Sequence, residues 1–122
     1  MFKLFVSLGS INALIAVALG AFGAHALKTR LSADMLAVFE TGVQYHFYHA
    51  LGLLAVGIIA TQLPESALVK WSGWLMVAGI ILFSGSLYIL SISGIKWLGA
   101  ITPLGGTAFI IAWVLLAVAV LR

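Results

Sequence analysis

Three histidines stand among long apolar runs, and they are the side chains best suited to proton exchange or ligation: His25, His46 and His49. His46 and His49 are three residues apart, so a helix brings them to neighbouring positions on one side. Tyr45 lies four residues before His49, on the same face. Glu40 and Gln44 share an adjoining stripe with Tyr48. Ionisable groups inside a membrane-spanning segment mark a functional site by default. Three chemistries suit them: haem, quinone or metal ligation; a proton site; and a polar-ligand site. The plainer reading is that histidines near a membrane boundary bond backbone carbonyls and interfacial water. A His-x-x-His pair without a carboxylate at ligand spacing is a weak metal signal, and the Glu-x-x-His of di-iron bundles is absent. No metal site and no cofactor are therefore assigned.

A second group of hydroxyls lies further on. Phe83-Ser84-Gly85-Ser86-Leu87-Tyr88 places two serines and a phenol in one helical stretch. Serines in such helices usually return a bond to the carbonyl one turn earlier. Ile101-Thr102-Pro103-Leu104-Gly105-Gly106 reads as a helix start, with Thr102 as the N-cap and Pro103 at the first helical position. The alternative is a locally opened helix lining a cavity, where irregular backbone at membrane depth is tolerated. Other chemistry is missing from the sequence. With no cysteine, thiolate nucleophiles, disulfides and cysteine-held metals are excluded. No nucleophile–base–acid set or glycine-rich phosphate loop occurs.

The elements that carry these residues follow from composition. Of 122 residues, 64% are apolar and 7% are charged. A soluble domain carries about 25% charged residues, so lipid must cover most of this chain. A helix needs about 20 apolar residues to cross the bilayer, and four runs qualify, at about 4–24, 43–61, 71–91 and 101–121. They lack the alternation of a membrane β-barrel. The expected fold is an all-α, four-helix transmembrane bundle forming one membrane domain over residues 1–122. The first 26 residues imitate a signal peptide, with Lys3, an apolar run and small residues around Ala24-His25-Ala26. That run is long enough to be retained as the first span. The segment at about 32–42 is amphipathic, with Met35, Leu36, Val38 and Phe39 on one face and Asp34, Ala37, Glu40 and Thr41 on the other. It reads as a short interfacial helix capped by Ser32 or Asp34, either with Gly42 as the bend into the second span or running unbroken into it.

Four spans put both termini on one side. The end of the first span, the start of the second, the end of the third and the start of the fourth share the other side. The candidate polar cluster collects there: His25 at the rim, with Tyr45, His46, His49, Ser86, Tyr88 and Thr102. His49 is expected to be neutral, because no carboxylate faces it within its span. Its replacement by Leu is expected to disturb more than Leu53→Ala one turn deeper. Membrane helices associate through close packing of small residues. Gly9, Ala13, Ala16 and Gly20 form such a stripe in the first span, with Asn12 beside it. Gly79 and Gly85 serve in the third span and Gly105 in the fourth. The stripes serve bundle packing or, more sharply, the seam of a homo-oligomer. Lys3, Lys70 and Arg122 balance Lys28, Arg30 and Lys96, so the positive-inside rule returns a tie. The close pair Lys28–Arg30 favours that side as cytoplasmic. The net charge of +3 is scattered, so nucleic acid is not an expected partner.

Taken jointly and in order, several stretches resemble one family. They are Gly20-Ala21-Phe22-Gly23-Ala24-His25, Tyr45 with His49-Ala50-Leu51, Phe83 to Tyr88, Ile101 to Gly106, and Trp113. The chain is similar over nearly its whole length to the small membrane proteins called domain of unknown function 423, which include the animal transmembrane protein 256. The resemblance implies a multi-span protein of the bacterial cytoplasmic membrane and carries over no activity or residue role.

The expected function is that of a non-enzymatic structural or accessory protein acting through helix packing or a partner, with membrane lipid, a further copy of itself or another membrane protein as the expected partners. The alternatives are an oligomeric transporter or channel using a His/Tyr/Ser cavity in one leaflet, and a haem, quinone or metal carrier. The lack of an acidic residue within any span disfavours a proton-driven pump.

Overall fold

The computed structural model describes residues 1–122. Four helices are long and apolar enough to cross a membrane: α1 (Phe2–Leu27), α2 (Ala33–Ala60), α3 (Ala67–Ser93) and α4 (Lys96–Leu121). There are no strands. α1 lies along α2, α4 lies along α3, and α2 meets α3 between them. Phe2 and Val6 pack against Gly57, and Arg122 borders the same hollow as Leu63 to Leu68, so both termini sit at one end.

The expected interfacial helix does not exist as a separate element. Residues 33–60 form one uninterrupted helix that runs through Gly42, the second of the two forms the sequence allows. Ser32 is the N-cap, its hydroxyl accepting the Met35 N–H at 3.2 Å. The apolar face of the first three turns packs on the bundle: Phe39 is buried and meets Gly23 of α1 and the Tyr88 ring. Once that face has protein to pack on, the backbone has no reason to turn along the membrane surface. His46 and His49 consequently lie in the middle of α2 rather than at its opening.

Two helices depart from regular α geometry. α1 ends in a π-turn at Gly23–Leu27, and α3 contains one at Ile80–Ser84. A π-turn inserts one residue and re-aims the side chains that follow. α3 closes on Gly94, whose φ of 74° is the left-handed C-terminal stop glycine provides. α4 opens with a 3-10 turn at Lys96–Ala100 that runs directly into the α-helix. Thr102 is thus not the expected N-cap, because the residues before it are already helical and supply carbonyls to that first turn.

The apolar core lies nearer the end that holds the termini, around Phe5, Leu53, Val56, Val69, Met76 and Phe109. Leu53 is 0% exposed, so truncating it would open a cavity in the core. Close approach is set by glycine. A Cβ on Gly9 would stand 2.7 Å from the Ala50 carbonyl, and Gly105 lies directly on the Phe83 backbone. Gly79 holds the Phe109 ring, while Gly20 meets only Val43, at 3.3 Å. Ala16 is buried and Ala13 half-buried on the same side of α1. Gly85 departs from the expected packing set: a Cβ there would meet only the Ile80 carbonyl of its own helix, at 3.9 Å. It borders an open crevice instead.

Candidate functional site

The π-turn and Gly42 together set the first polar group. A Cβ on Gly42 would lie 2.9 Å from a ring carbon of Tyr88, so the missing side chain is the seat of the phenol. The Ser84 hydroxyl donates to the Gly42 carbonyl at 2.7 Å, tying α3 to α2 at the same residue. Held there, the Tyr88 O–H donates to His46 Nδ1 at 2.8 Å. On the other side of the imidazole, Nε2–H donates to Asn12 Oδ1 at 2.9 Å. The Asn12 amide nitrogen donates to the Leu8 carbonyl at 2.8 Å, which fixes which way the amide points. The chain of bonds Tyr88–His46–Asn12 therefore has one direction and joins α3, α2 and α1.

His49 belongs to a different group. Its Nδ1–H donates to the Tyr45 carbonyl one turn back, at 2.8 Å. Its Nε2 accepts the indole N–H of Trp113 in α4 at 3.0 Å. Indole is a donor only, so Nε2 must carry a lone pair, and the imidazole is neutral with its proton on Nδ1. The ring also lies flat on Phe109, with centroids 3.5 Å apart and planes 7° from parallel. His46 and His49 thus hold opposite tautomers, each dictated by a partner that can act in one sense only.

A third group joins α3 to the start of α4. The Ser86 and Thr102 hydroxyls are 2.7 Å apart, and Ser86 also donates to the Phe83 carbonyl. Thr102 reaches the Leu98 carbonyl at 3.5 Å. Beyond the candidate set, Ser72 donates to the Ala112 carbonyl of α4 at 2.7 Å.

The single cluster expected from sequence is therefore divided. Tyr88 and His46 meet, Ser86 and Thr102 meet, and His49 turns to Trp113. The Tyr45 ring is exposed and packs beside Phe83, with centroids 4.7 Å apart. His25 is exposed near the end of α1 and joins none of the groups. No three of the His, Asp and Glu side chains come together at ligating distance. Sequence reading left Asn12, Trp113, Ser72 and Ser84 outside the site. Asn12 was visible as an amide beside a small-residue stripe. Ser84 stood out by type within the hydroxyl stretch and Trp113 by the family resemblance, but neither showed its partner, which is a backbone atom of another helix or, for Trp113, a residue at a separation of 64; Ser72 gave no local signal.

One concavity adjoins the first group. A crevice of about 450 Å³ opens between α1 and α3, with Asn12, His46, Ser86 and Tyr88 on its polar side and Ile80 and Ile89 among its apolar walls. Gly85 leaves room there that any larger residue would take.

Four apolar spans, continuous from one short turn to the next, with their interior polar groups bonded between helices, define a small integral membrane helical bundle. The chain belongs to the family described as protein of unknown function (DUF423), whose model matches residues 19–106. It is 58% identical over 120 residues to the UPF0382 membrane protein YwdK of Bacillus subtilis, covering 98% of each chain. It is 52% identical to the UPF0382 membrane protein SSP2132 of Staphylococcus saprophyticus, over 95% of each chain. A Staphylococcus aureus relative, SAB0533, is 51% identical over 98% of this chain and 97% of its own. No solved structure matches.

Proposed function

We propose that this protein is a non-enzymatic accessory component of the bacterial cytoplasmic membrane that acts through helix contacts with lipid and with membrane protein. The observation that carries this reading is the state of the two buried histidines, 4% and 5% exposed. Both nitrogens of each ring are engaged by neighbours within the chain. A general base or metal ligand needs a nitrogen free to meet the reacting group. Here the imidazoles serve as cross-links between helices. Native mass spectrometry from nanodiscs, with a visible spectrum and metal analysis of the same sample, tests it. The expected result is protein and lipid alone. A chromophore, metal or small solute held at one per chain overturns the reading.

The crevice supports a second reading, transport of a small solute. It is open to the surface, and its polar side includes the Tyr88–His46–Asn12 chain of bonds. Cysteine at Gly85 would discriminate. Labelling by a water-soluble thiol reagent from one side of the membrane supports a water-filled path, and protection supports the accessory reading.

A further inference from the structure

The crevice between α1 and α3 has a polar wall with hydrogen-bonding capacity that the bundle leaves unused. His46 and Ser86, both in that wall, are 4% and 3% exposed. They are fully engaged: His46 by Tyr88 and Asn12, Ser86 by Thr102 and the Phe83 carbonyl. The spare capacity lies at the two ends of the Tyr88–His46–Asn12 chain of bonds. The Tyr88 oxygen gives its proton to His46 Nδ1 and keeps lone pairs that accept no bond within the bundle. The Asn12 amide has two N–H groups, and the Leu8 carbonyl takes one of them. The wall therefore offers one acceptor and one donor, with the imidazole between them. A ring and two hydrogen bonds separate the two, which is further than a single hydroxyl spans.

The rest of the crevice is apolar. Ile81 and Ile89 on its lining are 64% and 54% exposed. Asn12, His46 and Ile81 each stand near the middle of a membrane-spanning helix, so a molecule reaches this mouth through lipid. No Asp, Glu, Lys or Arg lines it, and a charged head would find no counter-charge there. Its volume of about 450 Å³ falls among small-molecule sites, which run from about 300 to 1,000 Å³. Gly85 keeps that space open. Its N–H closes the π-turn on the Ile80 carbonyl, and a side chain there would meet nothing nearer than 3.9 Å. Turns of this kind recur at functional sites.

We infer that the crevice binds an uncharged glycerolipid of the diacylglycerol class, its free hydroxyl donating to the Tyr88 oxygen and an ester carbonyl accepting the second Asn12 N–H. The acyl chains run out over Ile81 and Ile89. The two ends of the wall select this head. A long-chain alcohol satisfies one end only. A quinone accepts but does not donate. A phospholipid brings charge. The inference rests on the accessory reading and names the lipid contacted.

The full chain is placed in nanodiscs of dioleoylphosphatidylcholine with a minor fraction of dioleoylglycerol or of its acetate ester, and native mass spectrometry reads what it retains. One dioleoylglycerol per chain is expected. The acetate ester lacks the donor and should be retained roughly fivefold less, the effect of one hydrogen bond. Gly85→Leu fills the crevice and should abolish retention, with thermal unfolding as the check that the chain is folded. Asn12→Leu should weaken both lipids alike, since both carry the ester carbonyl. Four results overturn the inference: no retained glycerolipid, phosphatidylcholine retained in its place, equal retention of the acetate ester, or undiminished retention by folded Gly85→Leu. The comparison of the two lipids uses the unsubstituted chain and decides the matter even if Gly85→Leu fails to fold. None of these results bears on the accessory reading, which falls only with a bound chromophore, metal or solute.

Discussion

The ring of Tyr88 rests on the Cα of Gly42, and the hydroxyl at its far end supplies a proton to His46, one turn further along the same helix. A single missing side chain thus positions a hydrogen bond four residues away. Gly42→Ala brings a methyl 2.9 Å from the ring and must move it. The expected cost is about 1–3 kcal/mol, as for other overpacked sites. Thermal unfolding in mild detergent measures it. Gly85→Ala is the matched control, with no neighbour nearer than 3.9 Å. It should be neutral or stabilise by up to about 1 kcal/mol through better helix propensity.

The His49–Trp113 bond is expected to show as a coupling. Trp113→Phe leaves His49 Nε2 without its donor in an apolar setting, at an expected cost of about 1–3 kcal/mol. Combining Trp113→Phe with His49→Phe removes both partners, and the double substitution should cost less than the sum of the singles. Additive losses would mean that the bond contributes nothing. Couplings for bonds between membrane helices average about 0.6 kcal/mol and reach about 1.7 kcal/mol.

Opposite tautomers give a spectroscopic prediction. Nitrogen chemical shifts of ¹⁵N-labelled protein should show His46 protonated at Nε2 and His49 protonated at Nδ1. In Asn12→Leu the His46 Nε2 signal should move while the His49 pair stays fixed, since the two rings share no hydrogen-bond partner. One tautomer common to both rings would contradict the geometry.

The serines should separate by where their oxygens point. Ser72→Ala and Ser84→Ala each remove a bond to another helix and should cost about 0.5–2 kcal/mol. Ser93→Ala removes only local bonds on an exposed surface, the one it donates to the Ile89 carbonyl and the one it accepts from the Ile95 N–H, and should fall within about 0.5 kcal/mol of the parent. Equal effects at all three positions would deny the interhelical bonds their role.

Composition and run length were enough to read the four spans, because the absence of charge over about 20 residues has few meanings. The shape of the segment at 32–42 was not readable. Its amphipathic face suits an interfacial helix, but the same apolar residues, Phe39 above all, suit packing against α1 and α3 equally well. Only the tertiary partners decide. The polar residues were legible by type and not by pairing. Tyr45, His46 and His49 share a stretch of helix, yet a rotation of about 100° per residue turns His46 away from the face that Tyr45 and His49 share. Spacing says that His46 and His49 are near each other. It cannot say that one ring faces Asn12 and the other Trp113. Serines show the same limit, since a hydroxyl bonded to its own helix and one bonded to the next are spelled identically.

The π-turn at Ile80–Ser84 makes α3 two helical segments set out of phase by one residue. On the terminal side, Ser72 and Met76 are in phase with α4 and the apolar core. On the far side, Ser84 and Tyr88 are in phase with α2. Both halves also touch the other neighbour, Met76 at Gly52 of α2 and Ser86 at Thr102 of α4, and it is the turn that lets each half meet both. Deleting a single residue within the turn would restore an ordinary helix and rotate everything after it by about 100°. Tyr88 and Ser84 would leave their seats on Gly42 while the first half of α3 stayed in register with α4. The length of this helix, counted to a single residue, therefore decides which of its neighbours it can serve at once.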